Sequence, residues 1–248
     1  MGKGGVGKTT LAHTYSKQLA SLGKKVLLCE VLQVTEKEQK LLQVNPNLWH
    51  ITLNATDCFH EYIILKLKIK TLYSMFLSNK LTKYLQKAAP GVREMVLLGK
   101  IWFERLHYDS VIVDMPSTGY ALTMLHTPFN YSALFPGGPV SSDATEMIST
   151  FSDPKQTALV VIALAETMPI QESLELIENL KTLIPTNSPH LIVNRCLNLP
   201  QGVQDIFATK PQDSSPLHAV AQYLAQKQAK QKQALSGLNI PFYSIPEG

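Results

Sequence analysis

Cysteine is scarce in this 248-residue chain, and Cys29, Cys58 and Cys196 stand far apart without a C-x-x-C pair. That spacing argues against a disulfide framework and against a structural zinc site, and leaves the thiols as small buried hydrophobes. Long apolar runs are missing too. The longest, ALVVIALA at residues 158–165, falls well short of the roughly 20 residues a membrane-spanning helix needs, so no span is predicted. The first residues are glycine and lysine, not the basic-then-apolar layout of a secretory signal, and a cytoplasmic protein is expected. No internal repeat or low-complexity tract is visible. The net charge is only +4 and its basic residues are scattered. The one dense patch, KQAKQK at residues 227–232, lies on a Gln/Ala-rich helical stretch that reads as a solvated face, so nucleic acid is not an expected partner.

What is present suits one α/β domain, since 45% of the residues are hydrophobic and a single domain of this length can bury a real core. Leu11, Tyr15 and Leu19 recur every fourth residue before Gly23, which predicts an amphipathic helix stopped by glycine. Short apolar segments then read as buried strands: KKVLLCE, DSVIVDM, TALVVIAL, HLIVN and IPFYSI. Helical patterns separate the last three. Such alternation predicts a mostly parallel sheet with helices on both faces. Residues 58–106 lack the alternation and read as a helical subdomain with a break at AAPG, although LKLKIK within them has strand-like period two. Proline clusters near Pro136 and Pro211 mark loops, because the sheet pattern continues across both.

The chemistry sits at the front. Gly2-Lys3-Gly4-Gly5-Val6-Gly7-Lys8-Thr9 has the spacing G-x-x-x-x-G-K-[ST]. Glycines let consecutive backbone N–H groups turn inward around phosphate oxygens, and the helix that begins near Lys8 adds its positive end. Gly4, Gly5, Val6, Gly7, Lys8, Thr9 and Thr10 are therefore the candidate contacts to a nucleoside triphosphate such as ATP. Lys8 would reach the β- and γ-phosphates, and the Thr9 hydroxyl would sit on Mg²⁺. Asp114, at the end of the apolar strand VIVD, is the candidate second holder of Mg²⁺, through a water.

With its extra early lysine, KGGVGKT resembles the deviant Walker A loop of dimeric nucleotide switches. VIVDMPSTGYALTML, AAPGVREMVLLGKIW and the segment from GPVSSDATEM to LELIENL together resemble the arsenite-pump and tail-anchored-protein-targeting ATPase family. The resemblance is spread along nearly the whole chain. It implies a P-loop NTPase working as a dimer, in which Lys3 reaches across to the partner's nucleotide and neutralises charge on the transferred phosphoryl group. It also aligns Asn194 with an adenine-contacting asparagine and places Pro246 in a loop that packs on the base. A homodimer, or a heterodimer with a paralogue, and a protein or membrane-associated client are the partners it implies.

Departures from the family bear on the reaction. Many relatives carry an Asp two residues beyond the position of Glu30, where it orients the attacking water; here the aligned residue is Leu32. Leucine cannot position a water, so hydrolysis stays open alongside a slowly hydrolysing or non-hydrolysing binding module. Glu30 is either a substitute or a strand-end charge. Tyr120 replaces the switch-segment histidine. Isolated cysteines argue against arsenite as substrate. Between Tyr120 and Asp153 the length suggests a Pro/Gly-rich loop and one helix, and helices around residues 73–85 are the remaining candidates for an apolar groove. A P-loop normally leaves a buried central strand, so the reading frame is expected to extend upstream by about six to ten apolar residues, or another segment to fill the slot. The chain also stops just after a strand, where relatives usually carry a last helix.

Overall fold

A computed structural model describes residues 1–32, 39–67, 91–134, 137, 139–199 and 216–247. Its contacts form two compact units, one of Met1 with Lys8–Thr157 and the other of Gly2–Gly7 with Ala158–Gly248.

In the first unit, β1 (Val26–Val31) is flanked by β3 (Leu48–Leu53) and β4 (Ser110–Asp114), both parallel to it, and β2 (Leu41–Asn45) adds an antiparallel edge. Helix α1 (Lys8–Ser21) covers one face of this sheet. Val26, Leu28 and Leu48 meet Ala20 there, with Ala12, Leu19 and Ile112 around them. On α1 Ser16 and Ala20 are buried and Ala12 and Leu19 partly buried, while Tyr15 is exposed, so of the expected Leu11–Tyr15–Leu19 stripe Leu19 docks and Tyr15 does not. Small side chains let a helix approach a strand closely, and the Ser16 hydroxyl is satisfied by donating to the Ala12 carbonyl at 2.7 Å. Gly23, at φ 82°, follows the helix as predicted.

The opposite face carries Leu27 and Cys29, both fully buried. Beyond it lie α2 (Ala55–Leu67) and α3 (Val92–Glu104), which pack on each other. Burial, with Glu104 and Cys58 nearby, pushes the Cys29 thiol up. Residues 65–67 of LKLKIK are helical, and Gly91, at φ 84°, precedes α3; residues 68–90, including most of the AAPG break and the groove candidates at 73–85, lie outside the described residues.

Lys100 ties α2 to α3: its Nζ is 2.7 Å from Glu61 Oε2 and 2.6 Å from Glu104 Oε1. Burial alone would lower its pKa, but the two carboxylates outweigh that and raise it. Lys100→Met leaves both carboxylates without their shared cation. A fully buried pair broken this way costs about 3–5 kcal/mol; because Glu61 is 41% exposed, about 1–3 kcal/mol is expected here. Urea unfolding measures it, and adding Glu104→Gln to Lys100→Met should recover part of the loss.

After β4 come α4 (Thr118–Leu134) and α5 (Pro139–Ser152), packed on each other. Two helices therefore occupy the stretch expected to hold one. Prolines masked this: Pro128 lies inside α4, and Pro139 opens α5, where a first-turn proline forfeits no helical hydrogen bond. The β2–β3 pair is the other element the sequence did not announce. Its turn is short, with Asn47 N–H donating to Asn45 Oδ1 at 3.0 Å, and its strands are interrupted by Gln43, His50 and Thr52, so no continuous apolar run marks them.

The second unit has an all-parallel sheet, β5 (Val160–Leu164), β6 (His190–Cys196) and β7 (Phe242–Pro246), in that order. Helix α6 (Thr167–Leu183) packs on β5, and α7 (Pro216–Ser236) on α6. All five predicted strands are present as β1, β4, β5, β6 and β7. The KQAKQK helix is only partly a solvated face. Lys230 and Lys232 are exposed, but Gln228 and Gln231 are buried. Gln231 donates to the Arg195 carbonyl at 3.1 Å and accepts the Leu197 N–H at 2.7 Å. It clamps the bend after β6, where Arg195 has φ 57°. Among the described residues no helix is long and apolar enough to cross a membrane.

Candidate functional site

The glycine run belongs to the second unit and is held there at two points. Gly2 lies against the Ile162 carbonyl of β5, so closely that a Cβ could not fit. Val6 is 1% exposed, and its carbonyl accepts a 2.9 Å hydrogen bond from Asn194 Nδ2 at the end of β6. Between these anchors the loop is open. Cβ atoms built on Gly4 and Gly5 would meet nothing within 4 Å. Gly5, at φ 81°, and Gly7, at φ 95°, adopt the left-handed backbone that side chains disfavour. Such residues alternating with ordinary ones turn successive N–H groups to one side, the form of an anion-binding nest.

Lys3 stands on the same loop, and its Nζ forms a 2.8 Å ion pair with Glu172 Oε1 of α6. Nothing in the sequence pattern singled out Glu172, which is one acidic residue among several on that helix. Asn194 is 9% exposed and spends an amide proton on the loop. Pro246 ends β7, exposed, in register with Cys196.

Within the first unit, Lys8, Thr9 and Thr10 stand at the start of α1 and Asp114 at the end of β4. Thr10 is exposed. Thr9 Oγ1 donates to Asp114 Oδ2 at 2.6 Å, joining residues 105 positions apart. Asp114 is 8% exposed. Burial lowers the pKa of Lys8, and the Asp114 charge opposes that shift, so ammonium and carboxylate feel one another. Lys8, Thr9 and Asp114 thus come together in the first unit. Leu32 follows β1, half-buried. Tyr120 lies in the first turn of α4, where burial and the neighbouring Glu94 push its phenol up to about 12.

Hydroxyl and carboxylate oxygens are the hard donors Mg²⁺ prefers, and that ion usually fills the rest of its shell with water and phosphate. The Thr9–Asp114 pair fits this demand. The described residues include no cluster of three or more His, Cys, Asp or Glu able to hold a metal.

Residues 1–136 and 140–235 match the sequence profile of the anion-transporting ATPases. Among curated proteins the chain is similar to ATPase BagA of Mycobacterium tuberculosis, at 30% identity over 80% of this chain and 64% of the relative. It is also similar to the ATPase ASNA1 homolog of Cryptosporidium parvum, at 25% identity over 87% of this chain and 70% of the relative. The arsenical pump-driving ATPase of Escherichia coli is 22% identical over 84% of this chain and 40% of its own length. The chain thus spans 64% of the length of the mycobacterial relative.

Proposed function

Because this chain belongs to the anion-transporting ATPase family, a group of P-loop NTPases, we propose that it binds Mg-ATP and hydrolyses it to ADP and phosphate as a nucleotide-driven dimeric switch. The observation that carries the reading is the 2.6 Å hydrogen bond between Thr9 and Asp114. It brings the motif's hydroxyl onto a buried carboxylate contributed by a distant strand. Thr9 and Asp114 would hold Mg²⁺, which when bound supplies positive charge beside the phosphates. The open backbone at Gly4 and Gly5 would give N–H groups to phosphate oxygens, and Lys8 its ammonium. Lys3 would leave Glu172 to stabilise the phosphoryl group bound by a second protomer, a homodimer or a paralogous heterodimer. Asn194 and Pro246 would flank the adenine, with Asn194 also bracing the loop through Val6.

Leu32 favours a second reading, a module that closes on ATP, engages a protein or membrane-associated client, and hydrolyses slowly or not at all. Arsenite fits neither reading well. Cys29 and Cys58 are buried, and burial raises both thiols, Cys58 to about 12, whereas a soft oxyanion needs accessible thiolates.

Thermal unfolding tests the shared claim. Mg-ATP at about a hundred times its Kd should raise the Tm by about 5–10 °C for a chain of this size. In Asp114→Asn the shift with Mg-ATP should fall to that given by ATP in chelator. No shift in the wild-type chain would refute nucleotide binding; a normal Mg²⁺-dependent shift in Asp114→Asn would remove Asp114 from the site.

A further inference from the structure

One face of the first unit's sheet changes character along its strands. Val26 and Leu28 of β1, Leu48 of β3 and Ile112 of β4 are apolar and join the cluster under α1. Further along the strands the same face turns polar, at Glu30 and Asp114 two residues on and at His50 and Thr52 of β3. Glu30 pairs in register with Thr52 on one side and Asp114 on the other, giving a row Thr52–Glu30–Asp114 at the strands' C-terminal ends, with neighbours roughly 4.8 Å apart. Ligands of parallel sheets bind at such ends. From α1, Thr9 meets Asp114 and the His13 ring lies 5.7 Å from that of His50, the residue two before Thr52.

Glu30 is fixed in this row. Thr52 Oγ1 donates to Glu30 Oε2 at 2.9 Å, and His50 Nε2 lies 3.7 Å from the same oxygen. That distance exceeds a hydrogen bond, and this buried nitrogen has no hydrogen-bond partner among the described residues. The Glu30 side chain is only 30% exposed. Two partly buried carboxylates on adjacent strands repel one another and each is costly to desolvate. Thr52 offsets part of that cost for Glu30, and Thr9 part of it for Asp114. A divalent cation at the Thr9–Asp114 end would turn the remaining repulsion into attraction.

Resting on the Mg-ATP reading above, we propose that Glu30 is a positioning residue of the cation site: braced by Thr52, it orients a water on the divalent ion that Thr9 and Asp114 would hold. It thereby returns to the end of β1 a negative charge that Leu32 does not provide. Acting through water, it tunes the ion without touching it, as outer-shell partners generally do.

Mn²⁺, followed by electron paramagnetic resonance, is titrated into the full chain with a non-hydrolysable ATP analogue. Glu30→Gln should weaken Mn²⁺ binding about tenfold, with analogue affinity in chelator unchanged. Glu30→Asp keeps the charge and should restore most of the affinity. Thr52→Val, which removes the brace but leaves the carboxylate, should weaken Mn²⁺ less than Glu30→Gln and guards against a variant that fails to fold. Unchanged Mn²⁺ affinity in Glu30→Gln or, if that variant does not fold, in Thr52→Val overturns the proposal, as does an equal loss of analogue binding with and without metal, which marks a merely structural carboxylate. Absence of any Mn²⁺-dependent analogue binding in the wild-type chain overturns the Mg-ATP reading itself, and this proposal with it.

Discussion

Lys8→Ala is expected to lower phosphate release at saturating Mg-ATP by about 10²–10³-fold, the loss typical of removing one preorganised donor to developing charge. The amine opens α1 beside Asp114, and partial burial already weakens its hold on its proton. Charge in such a place is little screened, so its removal is felt strongly by a phosphoryl oxygen gaining negative charge. The substitution is helix-favouring and leaves the Thr9–Asp114 hydrogen bond with both its partners, so the fold should survive and the defect should be kinetic. Phosphate release measured beside the thermal shift separates the outcomes. Release from the wild-type chain with a collapse in Lys8→Ala supports hydrolysis. A wild-type chain that shifts with Mg-ATP and releases no phosphate is the binding module that Leu32 favours. Equal release from both proteins would mean that Lys8 takes no part in it.

Gly7→Ala should be nearly as damaging, for a steric reason. At φ 95° an alanine is strained wherever it stands, and here its Cβ would run into the Asn194 side chain. The strain costs about 1–2 kcal/mol. Displacing Asn194 also breaks its bond to Val6, leaving a buried amide unpaired for about 1–3 kcal/mol more. Together they weaken ATP binding by about 30- to 4000-fold if the loop must regain its shape to bind. Calorimetric titration with ATP measures this. Adding Asn194→Gly should relieve the clash but not the backbone strain, recovering part of the affinity. Wild-type affinity in Gly7→Ala would show that the loop does not need its present conformation.

Much of this was legible in the sequence because some physical constraints leave local marks. A strand buried on both faces must be a short apolar run, so β1, β5 and β6 could be read directly, and the less buried β4 and β7 carry runs of the same kind. Thr9 and Asp114 were legible as a pair, since each ends or begins an element in a recognisable pattern. Other features leave no such mark. The half-polar β2–β3 hairpin has no apolar run, and beside Leu19 α1 docks through Ala12, Ser16 and Ala20, residues too small to register as a stripe. Glu172 and Gln231 acquire their importance only from what tertiary contact sets beside them, a loop lysine and a strained bend. Glu30 was visible as a strand-end charge, but its brace Thr52 lies on a strand the sequence concealed.

The ion pair between Lys3 and Glu172 is a latch and not a lock. Both side chains are well over a third in contact with solvent, at 48% and 39%, and pairs so wetted contribute about 1 kcal/mol or less. Thermal agitation alone can free the arm many times a second, and raised ionic strength would free it further. A lysine paired this way gives up little of that pairing energy when a stronger anion arrives.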